Sequence, residues 1–360
     1  VNHRLLVVAM IVLTAGCAGG GSTSAPPPEA TPSPAPTASP APTASPLPKV
    51  LTGTITEFSG GISPSGRPYQ IAAGPDGNLW FTERDLHRIG RITPAGVATE
   101  FSSGITGFPV PNGIAAGPDG NMWFTESDGG RIGRITPAGA ITEFSAGISA
   151  GAQPTGITAG PDGNLWFAEF GVDRIGRITP SGMVTEFSAG IPSNARPFGI
   201  AAGPDGNLWF TENFGNRIGR ITRTGTVTEF ANGITGDGLS SITAGPDGNM
   251  WFTEQRSNRI GRITPAGAVT EFSNGLTPGR IDPFTGQPSS AQPEVITGGP
   301  DGNLWFTEFT GRVGRITPAG VITEFSNGIS GNVQPEGIVA GRDGNMWFTE
   351  TVTGRIGRVQ

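Results

Sequence analysis

The stretch Gly74-Pro75-Asp76-Gly77-Asn78-Leu79-Trp80-Phe81-Thr82-Glu83, followed by Arg88-Ile89-Gly90-Arg91 and then Thr99-Glu100-Phe101, decides the fold because the chain repeats it seven times. Every tryptophan sits in a copy: Trp80, Trp123, Trp166, Trp209, Trp251, Trp305 and Trp347. Their spacings are 43, 43, 43, 42, 54 and 42 residues. Departures are few. Arg342 replaces the turn proline in the last copy, Ala168 replaces the threonine once, and Val313 replaces an isoleucine once. A self-similar period of this length is the mark of a repeat architecture, so the unit must be read before the whole.

One unit reads as four short strands. Ile71 to Ala73 is the first, and Gly74-Pro75-Asp76-Gly77 suits a turn with proline at its second position and glycine at its fourth. Asn78 to Glu83 is a largely apolar second strand and Arg88 to Thr93 a third. Pro94-Ala95-Gly96 turns the chain again. The fourth strand, Val97 to Phe101, alternates, with Val97, Thr99 and Phe101 on one face and Ala98 and Glu100 on the other, as in a half-buried outer strand. Seven such units predict an all-β, seven-bladed β-propeller of four-stranded antiparallel blades. The ends are complementary. The chain stops after a third strand, Arg355 to Val359, and the repeat region begins with an orphan fourth strand, Thr54 to Phe58. The N-terminal strand is therefore expected to complete the last blade and close the ring, leaving no open sheet edge.

Around the repeat, composition excludes several functions. Gly and Pro together make about a quarter of the 360 residues, and the net charge is −6. A single Cys excludes an intrachain disulfide framework and a cysteine-rich zinc site. Two His, one at position 3, leave little for a Ser-His-Asp triad. The only Lys is Lys49, so there is no GxxxxGK phosphate loop, and evenly spread arginines on an acidic chain point away from nucleic acid.

The first fifty residues read as an address and a tether. His3 and Arg4 precede the apolar run Leu5 to Val12, then Leu13-Thr14-Ala15-Gly16-Cys17. This has the order of a secretory signal and is too short to span a membrane as a helix. Leu-Thr-Ala-Gly-Cys resembles the lipobox of bacterial lipoproteins, which implies residues 1–17 as a leader and Cys17 as the lipid attachment point. The membrane is then met only through that anchor, on the extracytoplasmic side of a bacterial envelope. Residues 18–50 are rich in Pro, Ala, Ser and Thr, with ten prolines between Pro26 and Pro48, and predict a disordered spacer. Residues 51–360 are the propeller, expected to be monomeric.

Seven internal copies also separate structure from function. A residue present in every copy is most simply structural, and one present once is a candidate for function. The repeated Asp and the two repeated Glu account for 21 of 29 acids, and the repeated Arg pair for 14 arginines, so these charges are expected to pair between strands. The Asp-Gly-Asn triplets lack the other ligands of a calcium loop and read as turns. In a four-stranded meander the loops after strands two and four share one face, and these are the variable ones. From Phe272 to Ile296 such a loop is lengthened around Arg280-Ile281-Asp282-Pro283-Phe284. A small-molecule or peptide ligand is expected on that face. His87, the remaining histidine, reads as a loop polar residue.

Gly-Pro-Asp-Gly-Asn-Leu-Trp-Phe-Thr-Glu with Arg-Ile-Gly-Arg-Ile-Thr and Thr-Glu-Phe resembles the streptogramin B lyase (virginiamycin B lyase-like) family from about residue 53 to 360. The resemblance implies a Mg²⁺-assisted elimination that opens a cyclic depsipeptide at its ester linkage without water. It also implies where the site lies. The family's Tyr, two His and one Glu fall on Tyr69, Glu294, Glu336 and Glu350, and Gln334 stands in place of a second Glu. Both His positions are therefore carboxylates here. By this resemblance Tyr69 and Glu336 are the catalytic candidates, and Glu294, Glu336 and Glu350 are candidate ligands for Mg²⁺ or Ca²⁺, converging where the ring closes. No organic cofactor is expected. A solvated Glu is a weaker base than His near neutrality, but burial and a second carboxylate raise its pKa. Two functions stay open: a C–O lyase, and a non-catalytic propeller that binds a ligand or envelope protein through the variable loop face.

Overall fold

The computed structural model describes residues 51–277, 291–331 and 333–360. The expectations for the leader, Cys17, the linker and the insert around Arg280–Phe284 fall outside the described residues. Each copy folds as a four-stranded antiparallel sheet, and seven such sheets form a propeller. The first blade consists of Pro68–Ala73, Leu79–Glu83, Arg88–Ile92 and Ala98–Phe101. The last is Pro335–Ala340, Met346–Glu350 and Arg355–Val359, completed by Ile55–Phe58 from the other end of the chain. Ile55 faces Val359 and Phe58 faces Ile356 in that pairing. The amides of Thr52 and Gly53 add bonds to Gln360 O at 2.8 and 2.9 Å. The ring closes as the complementary ends predict.

The repeated residues explain one another. In the turn, Gly77 has φ 82°, which glycine adopts without steric cost. Asp76 Oδ2 accepts from Asn78 Nδ2 at 2.8 Å, and Asp76 Oδ1 accepts from the Trp80 indole at 3.1 Å. The triplet is thus a clamp on the tryptophan. Trp80 stacks on Phe101 with centroids 5.5 Å apart, and the Arg91 guanidinium lies 5.3 Å from one ring and 5.4 Å from the other. Arg91 Nη1 then donates to Pro137 O of the next blade at 2.9 Å, so one side chain packs its own blade and ties it to its neighbour. Gly90 is fixed by packing, since a Cβ there would lie 2.1 Å from the Phe81 ring.

The second strand of every blade is buried along its whole length, because neighbouring blades cover both of its faces. Trp80 and Ile89 pack with Ile114, Met122, Phe124 and Ile135 of the next blade. Trp347 of the last blade packs with Ile71 and Phe81 of the first. The apolar core is therefore a ring of layers between blades rather than a single centre.

Two details depart from the sequence pattern. The inner strand begins at Pro68, three residues before Ile71, with an irregularity between the two that recurs in all seven blades. Bulges of this kind re-aim side chains. The outer strand is not simply half-buried. Val97 is 63% exposed, whereas Glu100 turns inward to accept from Ser63 Oγ at 2.9 Å and Arg88 Nη1 at 2.5 Å. Its carboxylate is drawn in by these donors.

Candidate functional site

The second residue of each inner strand lies in the irregular stretch, and these seven positions ring one mouth of the central channel. They are Tyr69, Asn112, Thr155, Phe198, Ser240, Glu294 and Glu336. Asn112, Phe198 and Ser240 line a central cavity with Ile114, Ile157 and Ile200. A belt of hydroxyls fixes the backbone here. The Thr of Trp-Phe-Thr-Glu donates to the carbonyl of the mouth residue one blade on. Thr253 bonds Glu294 O at 2.8 Å, Thr307 bonds Glu336 O at 2.5 Å, and Thr349 bonds Tyr69 O at 2.6 Å. Where Ala168 lacks the hydroxyl, Thr155 Oγ1 substitutes and bonds Phe198 O at 2.9 Å. The repeat therefore holds the variable positions rigidly while leaving their side chains free to differ.

The structure brings Tyr69, Glu294 and Glu336 within electrostatic reach of one another across the closure of the ring. Burial, then the charge of Glu294, pushes the Glu336 carboxyl well above the usual carboxylate range, against the pull of Arg84 and Arg67. Burial raises Glu294 as well, opposed by a hydrogen bond from Gln255 Nε2 at 2.5 Å. Burial and then Glu336 raise the Tyr69 hydroxyl far above its ordinary value, so it stays protonated and is available as a hydrogen-bond donor. The Arg84 guanidinium covers the Tyr69 ring at 4.5 Å. Arg84 and Gln255 were missed at the sequence level. Each is a single-copy residue directly after the Glu of a Trp-Phe strand, and comparing the copies at that position would have shown them.

Glu350 does not join this group. It is fully buried, accepts from Thr353 Oγ1 at 2.9 Å and lies beside Glu57 and Arg355. Six equivalents share its setting: Glu83, Glu126, Glu169, Glu212, Glu254 and Glu308. Among the described residues, both carboxyl oxygens of Glu83 lack a donor, yet the Glu100 carboxyl is within hydrogen-bonding reach. Only a protonated Glu83 satisfies both. Burial, then Glu100, accordingly pushes Glu83 up to about 8. The pairing of charges expected from the repeat is thus only half of what forms, since each blade also carries a carboxyl–carboxylate pair.

The proposed trio of metal ligands is therefore not assembled. Among the described residues no group of three or more His, Cys, Asp or Glu is placed to hold a metal ion. Glu294 and Glu336 remain, two hard oxygen donors, which suits an ion such as Mg²⁺ that keeps most of its water. His87 is outside the site. Its Nδ1 accepts the Val110 amide at 3.4 Å and its ring meets Phe108 edge-on at 5.5 Å.

The chain matches the Virginiamycin B lyase family over residues 49–193, 149–277 and 273–360. Three solved structures are similar at the level of sequence as well as fold. One is a streptogramin B lyase, 34% identical, covering 85% of this chain and 97% of the other at a TM-score of 0.75. A virginiamycin B lyase from Staphylococcus aureus is 36% identical, covering 85% and 99% at a TM-score of 0.76. A catalytically inactive histidine-to-alanine variant of virginiamycin B lyase from Staphylococcus aureus, in a structure with quinupristin, is 35% identical, covering 85% and 99% at a TM-score of 0.75. A comparison with curated proteins gives no match.

Proposed function

The chain belongs to the virginiamycin B lyase family, and on that premise we propose that it is a C–O lyase opening a cyclic depsipeptide of the streptogramin B class, with a carboxylate pair in place of the family's histidines. One observation carries this: Glu294 and Glu336 meet at the mouth with pKa values raised by burial and, for Glu336, by the charge of its neighbour. A general base works best when its pKa lies near the operating pH. An ordinary glutamate falls well below neutrality, whereas this pair is shifted towards it.

In the proposed step the Glu336 carboxylate takes a proton from the carbon next to the one bearing the ester oxygen. The released electron pair forms a C=C bond as the C–O bond breaks, and the ester leaves as a carboxylate on the opened chain. No water is consumed, so product and substrate have the same mass. Tyr69, kept protonated, donates a hydrogen bond to the departing oxygen. Thr307 and Thr349 hold the backbones of Glu336 and Tyr69 in place. Glu294 and Glu336 would hold Mg²⁺, which when bound supplies a Lewis acid for the ester carbonyl. The leader and spacer would place this ring outside the membrane, tethered through Cys17.

Incubation of the full chain with a type B streptogramin and Mg²⁺, followed by mass spectrometry, tests the proposal. A linear product isobaric with the substrate is expected. A product heavier by one water, or no product, would overturn it. No product together with saturable binding would favour the non-catalytic propeller, a reading supported by the loss of both family histidines.

A further inference from the structure

The mouth has two unlike halves. Opposite the carboxylates, blades three and four bring together three aromatic rings from outside the repeat motif, Phe170, Phe198 and Phe214. Phe198 stands at the mouth, and Phe170, at the end of a Trp-Phe strand, meets it edge-on at 6.2 Å. Phe214 continues outward from Phe170, again edge-on, at 6.1 Å. Phe214 is 55% exposed, unlike the repeat aromatics that fill the blades. Two arginines outside the repeat motif lie over these rings, Arg196 at 5.1 Å from Phe170 and Arg256 at 5.3 Å from Phe214.

Among the described residues neither arginine makes an ion pair, although most arginines of the repeat do. The nearby carboxylate of Asp173 accepts from the backbone amides of Asn194 and Arg196, both at 2.8 Å, rather than from a guanidinium. Arg196 Nη1 also donates to Phe170 O at 3.1 Å, and the exposed Phe214 ring carries Arg256, so this side of the mouth presents aromatic and positively charged surface. It suits a ligand that is flat and apolar on one part and negatively charged on another.

We propose that Phe170, Phe198, Phe214, Arg196 and Arg256 form a subsite for an aryl group bearing a carboxylate or similarly anionic oxygen. It rests on the mouth being the reacting face, and it deepens that reading by naming which part of a ligand points away from Glu294 and Glu336. Charge orients the ligand. Arg196 and Arg256 attract the anionic end, so an extended ligand docks with that end on the aromatic half.

The test uses small probes and needs no turnover. Binding of N-acetyl-phenylalanine, N-acetyl-phenylalanine amide and N-acetyl-leucine is measured by ligand-observed NMR on the full chain. The anionic aryl probe is expected to bind best. Phe214→Ala should weaken both aryl probes by about tenfold, the scale of one aromatic contact. Arg256→Gln should weaken the anionic one alone. Phe108→Ala, which removes an aromatic 83% exposed elsewhere, serves as a control and should change nothing. Thermal melts of all three variants should match wild type, since these side chains lie at the surface. Equal binding of the three probes, or loss in Phe108→Ala as large as in Phe214→Ala, would overturn the proposal. Turnover of a streptogramin without any response of the probes to Phe214→Ala would remove the subsite and leave the lyase reading standing.

Discussion

Replacing Glu336 with glutamine is expected to slow ring opening by about 10²- to 10⁴-fold, the usual contribution of a positioned general base. Glutamine preserves shape and polarity but cannot accept the proton. The fold should survive, because the bond that pins this position runs from Thr307 to the backbone carbonyl of Glu336 and not to its side chain. Melting temperature therefore separates loss of chemistry from loss of structure. Glu294→Gln should behave differently. It removes the negative charge that raises Glu336, so Glu336 ionises at lower pH. The acid limb of kcat/KM should then move to lower pH while a substantial rate remains. Full activity in Glu336→Gln would place the base elsewhere.

Thermal stability should peak in mildly acidic solution and fall as the pH rises towards about 8. Glu83, Glu126, Glu169, Glu254 and Glu350 are each pushed up to about 8, first by burial and then by a neighbouring glutamate. Unfolded, each returns to about 4.5. Between these values the folded chain holds protons that the unfolded chain has released, so unfolding releases them and stability declines with pH. The contribution is complete below about 4.5 and gone by about 8.

The outer-strand partners act in the opposite sense. For Glu57, Glu100, Glu186 and Glu271, burial is outweighed by hydrogen bonds from Ser or Thr and by an arginine, and the pKa is lowered. Their stabilisation is present above the ordinary value and lost as the pH falls below it. The two limbs together place the maximum near the ordinary carboxylate pKa. From there to alkaline pH a progressive fall in Tm is expected. Glu254→Gln cannot ionise and should reduce the linked proton release by about one. Stability that rises with pH over this range would show that the carboxyl pairs do not hold their protons.

The ring was legible because its evidence is redundant. Seven Trp-Phe-Thr-Glu copies set the blade number, and the match between Thr54–Phe58 and Arg355–Val359 set the closure. The position of the mouth was legible through the resemblance, whose Tyr and two His fall on Tyr69, Glu294 and Glu336. What each copy does with its charges was not. The second Glu of a repeat looks the same in sequence whether it meets an arginine or another carboxyl, and only the packing shows Glu100 turned in towards Glu83. Glu350 was misgrouped on that account. Its register partner is Pro335, one residue from Glu336, yet its side chain belongs with Glu57, Thr353 and Arg355. The belt of threonines was likewise hidden, because it joins residues one blade apart through main-chain oxygens that sequence patterns do not mark.

The protonation of the Glu294–Glu336 pair can be read without knowing the substrate, by carbon NMR of the full chain labelled at the glutamate side-chain carboxyl carbons. Spectra of wild type and of the double variant Glu294→Gln, Glu336→Gln, taken across the pH range, isolate the two resonances. They are expected to titrate together, well above the ordinary carboxylate range and towards neutrality. Two carboxyls that finish ionising near about 4.3, as exposed glutamates do, would contradict the carboxylate base on which the proposed lyase depends.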